Sequence, residues 1–272
     1  MSSATVTPAI SEKFQYGQQV QFEVVNVIQT IQTTKSHVQY VQTRRHGTLL
    51  IMDGEVQYST LDEHRYHEML VEPVFDGHGK YKSVLILGGG DGLAARTLYA
   101  WTGDPEIESV TIVDWDQEFV EFAKTLAENQ GSLEDARTTL VHADALEFLR
   151  SVTLQRRYDS VIIDLPDPDT PEMQTLYLNI VRELPKVCKH DAIVISHVGP
   201  TSLDDEHPAW DFIKRFRDLL METFERAEVT LNSTYIPSFS HEWGVMSVYT
   251  GRSKPGTVLT TPRDITYLYN AL

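Results

Sequence analysis

The segment at residues 83–116 constrains the fold of this chain more than any other. An apolar run at 84–87 leads into a glycine turn at 88–92, and a helix-compatible segment then connects to a second apolar run at 110–113 that ends in Asp114. Two parallel strands joined by a helical crossover require this order of elements, and the glycines let a ligand approach the backbone closely. An acid at the tip of the second strand suits the hydroxyl groups of a ribose. The sequence therefore predicts a nucleoside-binding βαβ unit.

The glycine turn departs from the pattern of dinucleotide-binding proteins. The G-x-G-x-x-G pattern is met only at Gly88 and Gly90, because Leu93 occupies its third position. Asp91 in the turn would oppose a pyrophosphate, which binds favourably at a helix N-terminus. A neutral or cationic nucleoside, such as an S-adenosyl sulfonium, therefore suits this turn better than NAD. Three successive glycines with two acids nearby also exceed what a plain tight turn requires.

Composition limits the class of protein and of partner. A chain of 272 residues with 41% apolar residues accommodates one α/β domain with an appendage, or two small domains. The net charge of −16 opposes binding to nucleic acid and suits a polycationic small substrate, although solubility alone would explain it as well. We expect no membrane association and a cytoplasmic location. No stretch is apolar enough to span a bilayer, residues 1–34 lack a signal-peptide layout, and the single cysteine, Cys188, cannot form an internal disulfide.

The N-terminal part has the alternation of antiparallel strands. Its alternating runs lie at residues 20–24, 38–42, 48–52 and 55–58. Asp53 and Gly54 predict a hairpin between the last two runs. Residues 1–16 are expected to form a tail or a first edge strand. A helix is predicted at 61–75, with Thr60 as its N-cap.

After residue 76 the predicted strands alternate with helices. The strands lie at 84–87, 110–113, 139–141, 160–163, 192–195, 227–231 and 243–249. The helices lie at 117–129, 145–151, 173–187 and 208–223. This alternation predicts a mostly parallel sheet covered on both faces, with ligands at the carboxyl ends of the strands. We divide the chain into an N-terminal β-strand domain with a gate helix at 1–75 and a Rossmann-like catalytic domain at 76–272, in which residues from 254 onward are a surface tail.

Acidic residues follow three of the predicted strands. They are Asp114 and Asp116, then Asp144, then Asp164 and Asp167. Because parallel strands bring their carboxyl ends to one crevice, we expect these side chains to converge. Asp144 could instead be the N-cap of the helix at 145–151. A cap is less suitable for Asp167, because Pro168 keeps it out of helical geometry.

An ordered set of motifs resembles the spermidine synthases and related polyamine aminopropyltransferases, over about residues 38–246. The motifs are L-I-M-D-G-E-V-Q at 50–57, D-E-H-R-Y-H-E-M at 62–69, G-G-G-D-G at 88–92, the strand-end acids, and D-x-x-D-P at 164–168. The glycine turn alone is weak evidence, whereas the two motifs ahead of it are specific. The resemblance implies an α/β protein with the Rossmann-like fold of S-adenosylmethionine-dependent transferases and a small N-terminal antiparallel β-domain.

The resemblance also implies a reaction. Enzymes of this family move the aminopropyl group of decarboxylated S-adenosylmethionine to a di- or polyamine and release methylthioadenosine. Asp91 would hold the aminopropyl amine and Asp114 the ribose. Asp164 would take the proton from the attacking amine with the help of Tyr66, because an amine with a pKa near ~10 is protonated at neutral pH.

The site residues implied by the resemblance fall into three groups. The donor-binding residues are Gln39, Gln57, His67, Gly88, Gly90, Asp91, Asp114, Asp144 and Ala145. The acceptor-binding residues are Tyr66, Asp164, Asp167 and Phe239, of which Asp164 and Tyr66 are also the catalytic pair. The decarboxylated nucleoside is a co-substrate, and no permanently bound cofactor is implied. A homodimer or homotetramer is implied, and the need to cover the edge strands of the N-terminal sheet makes such association reasonable.

Several positions depart from the family pattern. Asp114 stands where glutamate is usual, and the other departures are Leu93, Thr170, Ile180, Val181, His197 and Phe239. Phe239 replaces a tyrosine that helps to bind the acceptor, and His197 replaces a glutamine. Most donor-side residues are retained while the acceptor side is altered, so the acceptor need not be putrescine.

Two other functions stay open. An amine N-methyltransferase of the same fold would use intact S-adenosylmethionine, whose additional carboxylate Asp91 would oppose. A non-catalytic homologue would keep the nucleoside pocket, although intact Tyr66, Asp164 and Asp167 favour turnover. Metal catalysis is not expected, because the histidines lack the usual ligand spacing and His67 belongs to the transferase motif.

Overall fold

The computed structural model describes residues 9–14, 17–75, 81–101, 106–152, 158–201, 207–224 and 227–251. Both segments predicted as tails fall partly or wholly outside these ranges. Residues 1–8 and everything from 252 onward are not described. Residues 9–13 form an edge strand, which confirms the second of the two interpretations of the N-terminal segment.

A five-stranded antiparallel sheet forms the N-terminal part, with its strands adjacent in chain order. The strands are β1 (Ala9–Lys13), β2 (Gln19–Gln32), β3 (His37–Thr43), β4 (Thr48–Met52) and β5 (Glu55–Ser59). The hairpin between β4 and β5 turns through Asp53 and Gly54, whose φ angles are 52° and 93°. Two successive positive φ angles are typical of a type I′ hairpin turn, so the Asp-Gly prediction is confirmed.

A seven-stranded mixed sheet forms the larger part. Its strands are β6 (Ser83–Gly88), β7 (Ser109–Val113), β8 (Thr138–Val141), β9 (Tyr158–Asp164), β10 (Cys188–Pro200), β11 (Glu228–Ile236) and β12 (His241–Tyr249). Their order in the sheet is β11-β12-β10-β9-β6-β7-β8. The five strands from β10 to β8 pair in parallel, and β12 and β11 extend the sheet in antiparallel pairing.

The strand order reverses direction at β6. From β6 the chain proceeds outward through β7 to β8, and it then returns to place β9 on the other side of β6. Such a reversal opens a crevice at the carboxyl ends of the two central strands. In register, Gly88 at the end of β6 pairs with Asp164 at the end of β9. The fold therefore brings the glycine turn and the Asp164 loop to one place.

Helices cover both faces of this sheet, as the predicted fold class requires. They are α1 (Glu63–Phe75), α2 (Leu93–Ala100), α3 (Gln117–Ala123), α4 (Ala145–Ser151), α5 (Pro171–Glu183) and α6 (Pro208–Thr223). Val84 and Ile86 of β6 pack with α1, α2 and α3, whereas Leu85 and Leu87 pack with α4, α5 and α6. A central parallel strand is apolar on both faces for this reason. No helix in the described ranges has the length and apolar character needed to cross a bilayer.

Three helices have boundaries that differ from the prediction. Helix α3 ends at Ala123 and not at residue 129, because the Asn129 side chain donates to the carbonyl oxygen of Leu126 at 3.0 Å and a short 3₁₀ turn replaces the last part. The N-cap prediction for Thr60 is wrong, because helix α1 begins at Glu63 and not at residue 61; the Thr60 hydroxyl instead accepts from the Thr48 amide at 2.9 Å. Helix α5 begins at Pro171 and ends at Glu183, with Thr170 as its N-cap.

Strand β2 is longer than predicted. It continues to Gln32, although the sequence alternates clearly only over residues 20–24. Its pairing with β3 shifts register between Val24 and Asn26 and again between Val27 and Gln29. Each bulge adds one residue and reverses the in-out alternation, which hid the second half of the strand from a period-two pattern.

Side-chain hydrogen bonds fix the N-terminal sheet to the large sheet. Asp116 is the N-cap of α3, and its second carboxylate oxygen accepts from the hydroxyls of Thr33 at 2.6 Å and Ser36 at 3.2 Å, in the turn between β2 and β3. Asp62 accepts from the amide and the hydroxyl of Ser238 at 2.7 and 2.8 Å. Helix α1 packs on the large sheet, although the proposed division places it in the N-terminal domain. The division of the chain at residue 75 stays a proposal.

Candidate active site

A cavity of about 240 Å³ lies at the carboxyl ends of β6, β7 and β9, bounded by helix α1 and by strands of the N-terminal sheet. All of the predicted site residues line this cavity except Gln39. Gln39 lies on β3 opposite Ile51, and the structure does not bring it to the cavity wall. The predicted convergence of strand-end acids is therefore confirmed, because Asp114, Asp116, Asp144, Asp164 and Asp167 all line this cavity, together with Asp91 of the glycine turn.

Close backbone approach explains the glycines of the turn. A Cβ on Gly88, whose φ is +83°, would lie 1.9 Å from the carbonyl oxygen of Asp164. A Cβ on Gly90 would lie 2.4 Å from Oδ2 of Asp114, which accepts a hydrogen bond from the Gly90 amide at 3.1 Å. The glycines thus let the turn pack between the tips of β9 and β7 and hold the Asp114 carboxylate.

Asp91 and Asp114 lie in an environment that resists their ionisation. Burial raises the pKa of Asp91 to about 6; the charge of His67 lowers that pKa and the charge of Asp164 raises it. Burial also raises the pKa of Asp114 to about 6, although the amides of Asp116 and Gly90 lower it. A cationic ligand near these carboxyl groups would stabilise their ionised forms.

Tyr66 and Asp164 form a direct pair. The Tyr66 hydroxyl donates to Oδ1 of Asp164 at 2.7 Å. Burial raises the pKa of Asp164 above its ordinary value, while the charge of His67 and the hydrogen bond from Tyr66 lower it. Burial and the charge of Asp164 both raise the pKa of Tyr66, so the phenol keeps its proton. Asp164 is therefore the member of the pair that can accept a proton from a ligand.

His67 is held by two charged residues that the sequence analysis did not select. Its Nδ1 donates to Glu63, with the backbone carbonyl oxygen at 2.8 Å and Oε2 at 2.9 Å. Arg96 in turn donates to both carboxylate oxygens of Glu63 at 2.9 and 2.8 Å. Burial lowers the pKa of His67, but the hydrogen bond to Glu63 and the charges of Asp91 and Asp164 outweigh it and raise the pKa overall.

A sequence signal existed for Glu63 and not for Arg96. Glu63 belongs to the D-E-x-x-Y-H-E-M motif and lies four residues before His67, which is the spacing of paired side chains on a helix. Two hydrogen-bonding partners lower the pKa of Glu63 to about 2, although burial alone would raise it. Arg96 reaches Glu63 only because α2 packs beside α1, and no local pattern indicates that.

One part of the cavity wall is more acidic than the sequence predicted. Asp167 lies there with Glu12 of β1 and Glu55 of β5, which the sequence analysis missed. Burial and the charges of Glu55, Asp169 and Glu12 raise the pKa of Asp167 well above its ordinary value. Glu12 is 6% exposed; one of its oxygens accepts from the Val56 amide at 3.0 Å, and the other, Oε2, has no hydrogen-bond partner among the described residues.

Burial raises the pKa of Glu12 to about 7, although the Val56 amide lowers it. In sequence, Glu12 is an ordinary position of an alternating strand, and its place at the cavity follows from the docking of the N-terminal sheet. Glu55 belongs to the motif at 50–57, but that motif assigned it no role at the site.

The departures from the family pattern have different structural consequences. Phe239 lines the cavity, with its ring centroid 6.0 Å from that of Tyr66, and it brings no hydroxyl group there. Ile180 and Val181 are fully buried in the core and do not line the cavity. Asp144 is the N-cap of α4, since its Oδ1 accepts from the Glu147 amide at 2.9 Å. It also lines the cavity, and its donor-binding role stays a prediction.

The proteins to which this sequence is similar agree with the geometry of the site. Residues 63–255 match a family described as the spermine/spermidine synthase domain. A polyamine aminopropyltransferase of Saccharolobus solfataricus is 34% identical over 226 residues, which are 81% of this chain and 71% of that protein. Polyamine aminopropyltransferase 1 of Streptomyces coelicolor is 43% identical over 132 residues, which are 47% of this chain and 24% of that protein. The chain thus spans only about a quarter of the length of the Streptomyces relative.

Solved structures share the fold. The spermidine synthase of Thermotoga maritima has a TM-score of 0.75 at 20% identity, with 90% of this chain and 79% of that chain covered. A spermidine synthase in complex with the transition-state analogue AdoDATO has a TM-score of 0.78 at 22% identity, with 90% of this chain and 80% of that chain covered. These likenesses establish the architecture of a Rossmann-like sheet with an antiparallel N-terminal sheet.

Proposed function

Because the chain belongs to the spermine/spermidine synthase family, whose members are transferases, we propose that it moves the aminopropyl group of decarboxylated S-adenosylmethionine to a di- or polyamine. Methylthioadenosine is the second product. The observation that carries this proposal is that Asp91, Asp114 and the Tyr66–Asp164 pair line one cavity at the switch point of the sheet. The roles of these residues are part of the proposal.

The donor lies across the tips of β6 and β7 in this proposal. Asp114 binds the ribose hydroxyls, and Asp144 with Ala145 binds the adenine. Asp91 binds the aminopropyl amine, whose charge favours the ionised carboxylate. Intact S-adenosylmethionine would place a further carboxylate against Asp91 and Asp164, so like charges oppose it. The complex of a spermidine synthase of this fold with a transition-state analogue supports a ligand of this kind.

The acceptor amine must lose a proton before it can attack. Asp164 accepts that proton, and the raised pKa of Asp164 makes it a stronger base than an exposed carboxylate. The amine nitrogen then forms a bond to the methylene carbon beside the sulfonium. The carbon–sulfur bond breaks, and its electron pair neutralises the sulfur of methylthioadenosine. The leaving group needs no proton, so positioning by the cavity supplies much of the acceleration.

The acidic part of the cavity wall around Asp167 supports a polycationic acceptor. Burial raises the pKa of Asp167, and the charges of Glu55 and Glu12 raise it further. An ammonium group bound among these carboxylates would relieve their repulsion.

Assembly through the N-terminal sheet is a further part of the proposal. Within the described residues, β1 pairs only with residues 19–23 of β2, which leaves the rest of that strand edge available. Val25, Val27 and Ile28 on the same strand are 58%, 50% and 49% exposed. A second copy of the chain would cover this edge and form a homodimer or homotetramer. The cytoplasmic location and the absence of nucleic-acid and membrane partners stay predictions.

Product analysis tests the reaction. The protein is incubated with decarboxylated or intact S-adenosylmethionine and a panel of di- and polyamines, and the products are weighed by mass spectrometry. We expect an aminopropylated amine and methylthioadenosine with the decarboxylated donor. A methylated amine from the intact donor would identify an N-methyltransferase instead, and no product from either would indicate a binding protein.

A further inference from the structure

His197 lies near the end of β10 and lines the cavity beside Asp167. It is 2% exposed, and Tyr66 also lines the cavity. The pairing of β10 with β12 shifts register between His197 and Gly199, and Gly199 has a φ of +83°. Bulges of this kind redirect a side chain at the end of a strand. The position of His197 is therefore set by the backbone of the sheet.

The hydrogen bonds of His197 define its tautomer. Its Nε2 lies 2.6 Å from the carbonyl oxygen of Leu165 and 2.8 Å from the Tyr177 hydroxyl. A carbonyl oxygen can only accept, so Nε2 carries the proton and donates to Leu165. Burial lowers the pKa of His197 to about 4, so the ring is neutral near pH 7. Nδ1 is then an unprotonated nitrogen with a lone pair.

The lone pair of Nδ1 has no donor within the described structure. Oδ1 of Asp167 lies 3.9 Å from Nδ1, and an ionised carboxylate oxygen cannot donate to it. Buried acceptors in folded proteins nearly always have a donor, and one that faces a cavity is open to a donor from a ligand. Nδ1 and the Asp167 carboxylate are thus two acceptors side by side. A protonated amine, with several N–H donors on one nitrogen, is complementary to both.

We infer that His197 Nδ1 and Asp167 together bind an unreactive ammonium group of the acceptor. The family pattern has glutamine at position 197 and assigns no role to a histidine there. The inference rests on the proposed function for the identity of the acceptor as an amine. A glutamine that donated its amide group to the Leu165 carbonyl would leave no acceptor at the place of Nδ1, whereas the neutral imidazole has one there. The site therefore selects an ammonium that has at least two N–H groups, which is a primary or secondary one.

A conservative substitution separates binding by Nδ1 from structural support by Nε2. In His197→Gln, the longer amide can still donate to the Leu165 carbonyl but has no acceptor at the place of Nδ1. We expect the KM for the amine to rise about tenfold, as for one lost hydrogen bond to a charged group, while the KM for the donor stays within about twofold. His190→Gln is the matched control, because His190 lies on the same strand with its side chain 88% exposed. An unchanged amine KM in His197→Gln would overturn the inference.

Two measurements on the unmodified protein keep the test independent of folding of the variant. The first compares the best amine of the panel with its analogue dimethylated on the nitrogen that does not react; we expect the analogue to have at least a tenfold higher KM, because it retains one N–H. An equal KM for both would contradict the inference. The second follows the imidazole nitrogens by ¹⁵N NMR as the same amine is added with methylthioadenosine. A shift at Nδ1 of His197 is expected, and turnover without that shift would refute its role.

The same NMR titration distinguishes the two claims. If no amine is aminopropylated but amines still shift Nδ1, the transfer reaction is wrong and the ammonium site stands. If amines are turned over and Nδ1 is unaffected, the reaction stands and the ammonium site is wrong.

Discussion

The hydroxyl of Tyr66 donates a hydrogen bond to Oδ1 of Asp164 at 2.7 Å and so joins helix α1 to the carboxyl end of β9. The two residues are 98 positions apart in the chain. The bond stabilises the ionised form of Asp164 inside a cavity where burial disfavours it. The pKa of Asp164 therefore depends on Tyr66 of helix α1, which precedes the glycine turn in the chain.

Removal of the Tyr66 hydroxyl should change the pH dependence of catalysis. Tyr66→Phe keeps the buried ring and removes one influence that lowers the pKa of Asp164, so that pKa rises further. The proposed reaction requires ionised Asp164, so the acidic limb of the kcat profile should move to higher pH, with kcat at pH 7 reduced about tenfold. The exposed Tyr235→Phe is the control. An acidic limb at the same pH in both variants would show that the bond does not tune Asp164.

Asp91 should discriminate between the two donors. In the proposed function, Asp91→Asn removes the negative charge that would pair with the aminopropyl amine, and it also removes the repulsion toward the carboxylate of intact S-adenosylmethionine. We expect the affinity for the decarboxylated donor to fall at least tenfold more than that for the intact donor, measured by calorimetry. The control is Asp218→Asn, whose side chain is 57% exposed. Equal losses for the two donors would mean that Asp91 does not contact the aminopropyl end.

Glu63 should act on both stability and the titration of His67. The hydrogen bond and charge of Glu63 raise the pKa of His67, so Glu63→Gln should lower that pKa in an NMR titration. The folded pKa of Glu63 is about 2, below its ordinary 4.5. Its contribution to stability is therefore complete above the ordinary value and is lost as pH falls toward 2. Glu63→Gln should cost about 2 kcal/mol at pH 7, and the difference from wild type should shrink in acid.

An equal pH dependence of stability in wild type and Glu63→Gln would contradict this prediction. If wild type and Glu63→Gln lose stability in parallel between pH 5 and pH 2, the ion pair with Arg96 contributes nothing to folding. Glu121→Gln is a suitable control, because Glu121 makes an ion pair whose acid is 55% exposed.

Glu12 should oppose stability and support acceptor binding. Its folded pKa of about 7 lies above the ordinary 4.5, so the fold favours the protonated acid and loses stability as pH rises from below 4.5 through 7. Glu12→Gln should therefore raise the Tm at pH 8 without amine. It should also raise the acceptor KM about tenfold, since a charge facing the ammonium is lost. Glu23→Gln on the exposed side of β2 is the control, and a lower Tm at pH 8 for Glu12→Gln would contradict the assignment.

The parts of the fold that local patterns specify were predictable. The β6–α2–β7 unit followed from an apolar run, a glycine turn and a second run, and the β4–β5 hairpin followed from Asp53 and Gly54. The convergence of Asp114, Asp144 and Asp164 followed from the rule that parallel strands share one crevice. The second half of β2 was hidden by two bulges, which reverse the alternation that a sequence pattern depends on.

The parts of the site that depend on docking were not predictable. Glu12 reaches the cavity because the N-terminal sheet packs over the large sheet, and its partner amide belongs to Val56, 44 positions away. Arg96 reaches Glu63 across two helices. The lone pair of His197 could be recognised only once Leu165 was seen to fix its tautomer. Each of these contacts joins elements that carry no shared local signal.

Single-turnover kinetics of Asp164→Asn test the central claim most directly. The substitution keeps the size of the side chain and its contact with Tyr66 but cannot take the proton of the attacking amine. We expect the rate of aminopropyl transfer from pre-bound decarboxylated S-adenosylmethionine to fall about 10²–10⁴-fold, while the dissociation constant of the donor stays within a few-fold of wild type. A transfer rate equal to that of wild type would show that Asp164 is not the proton acceptor.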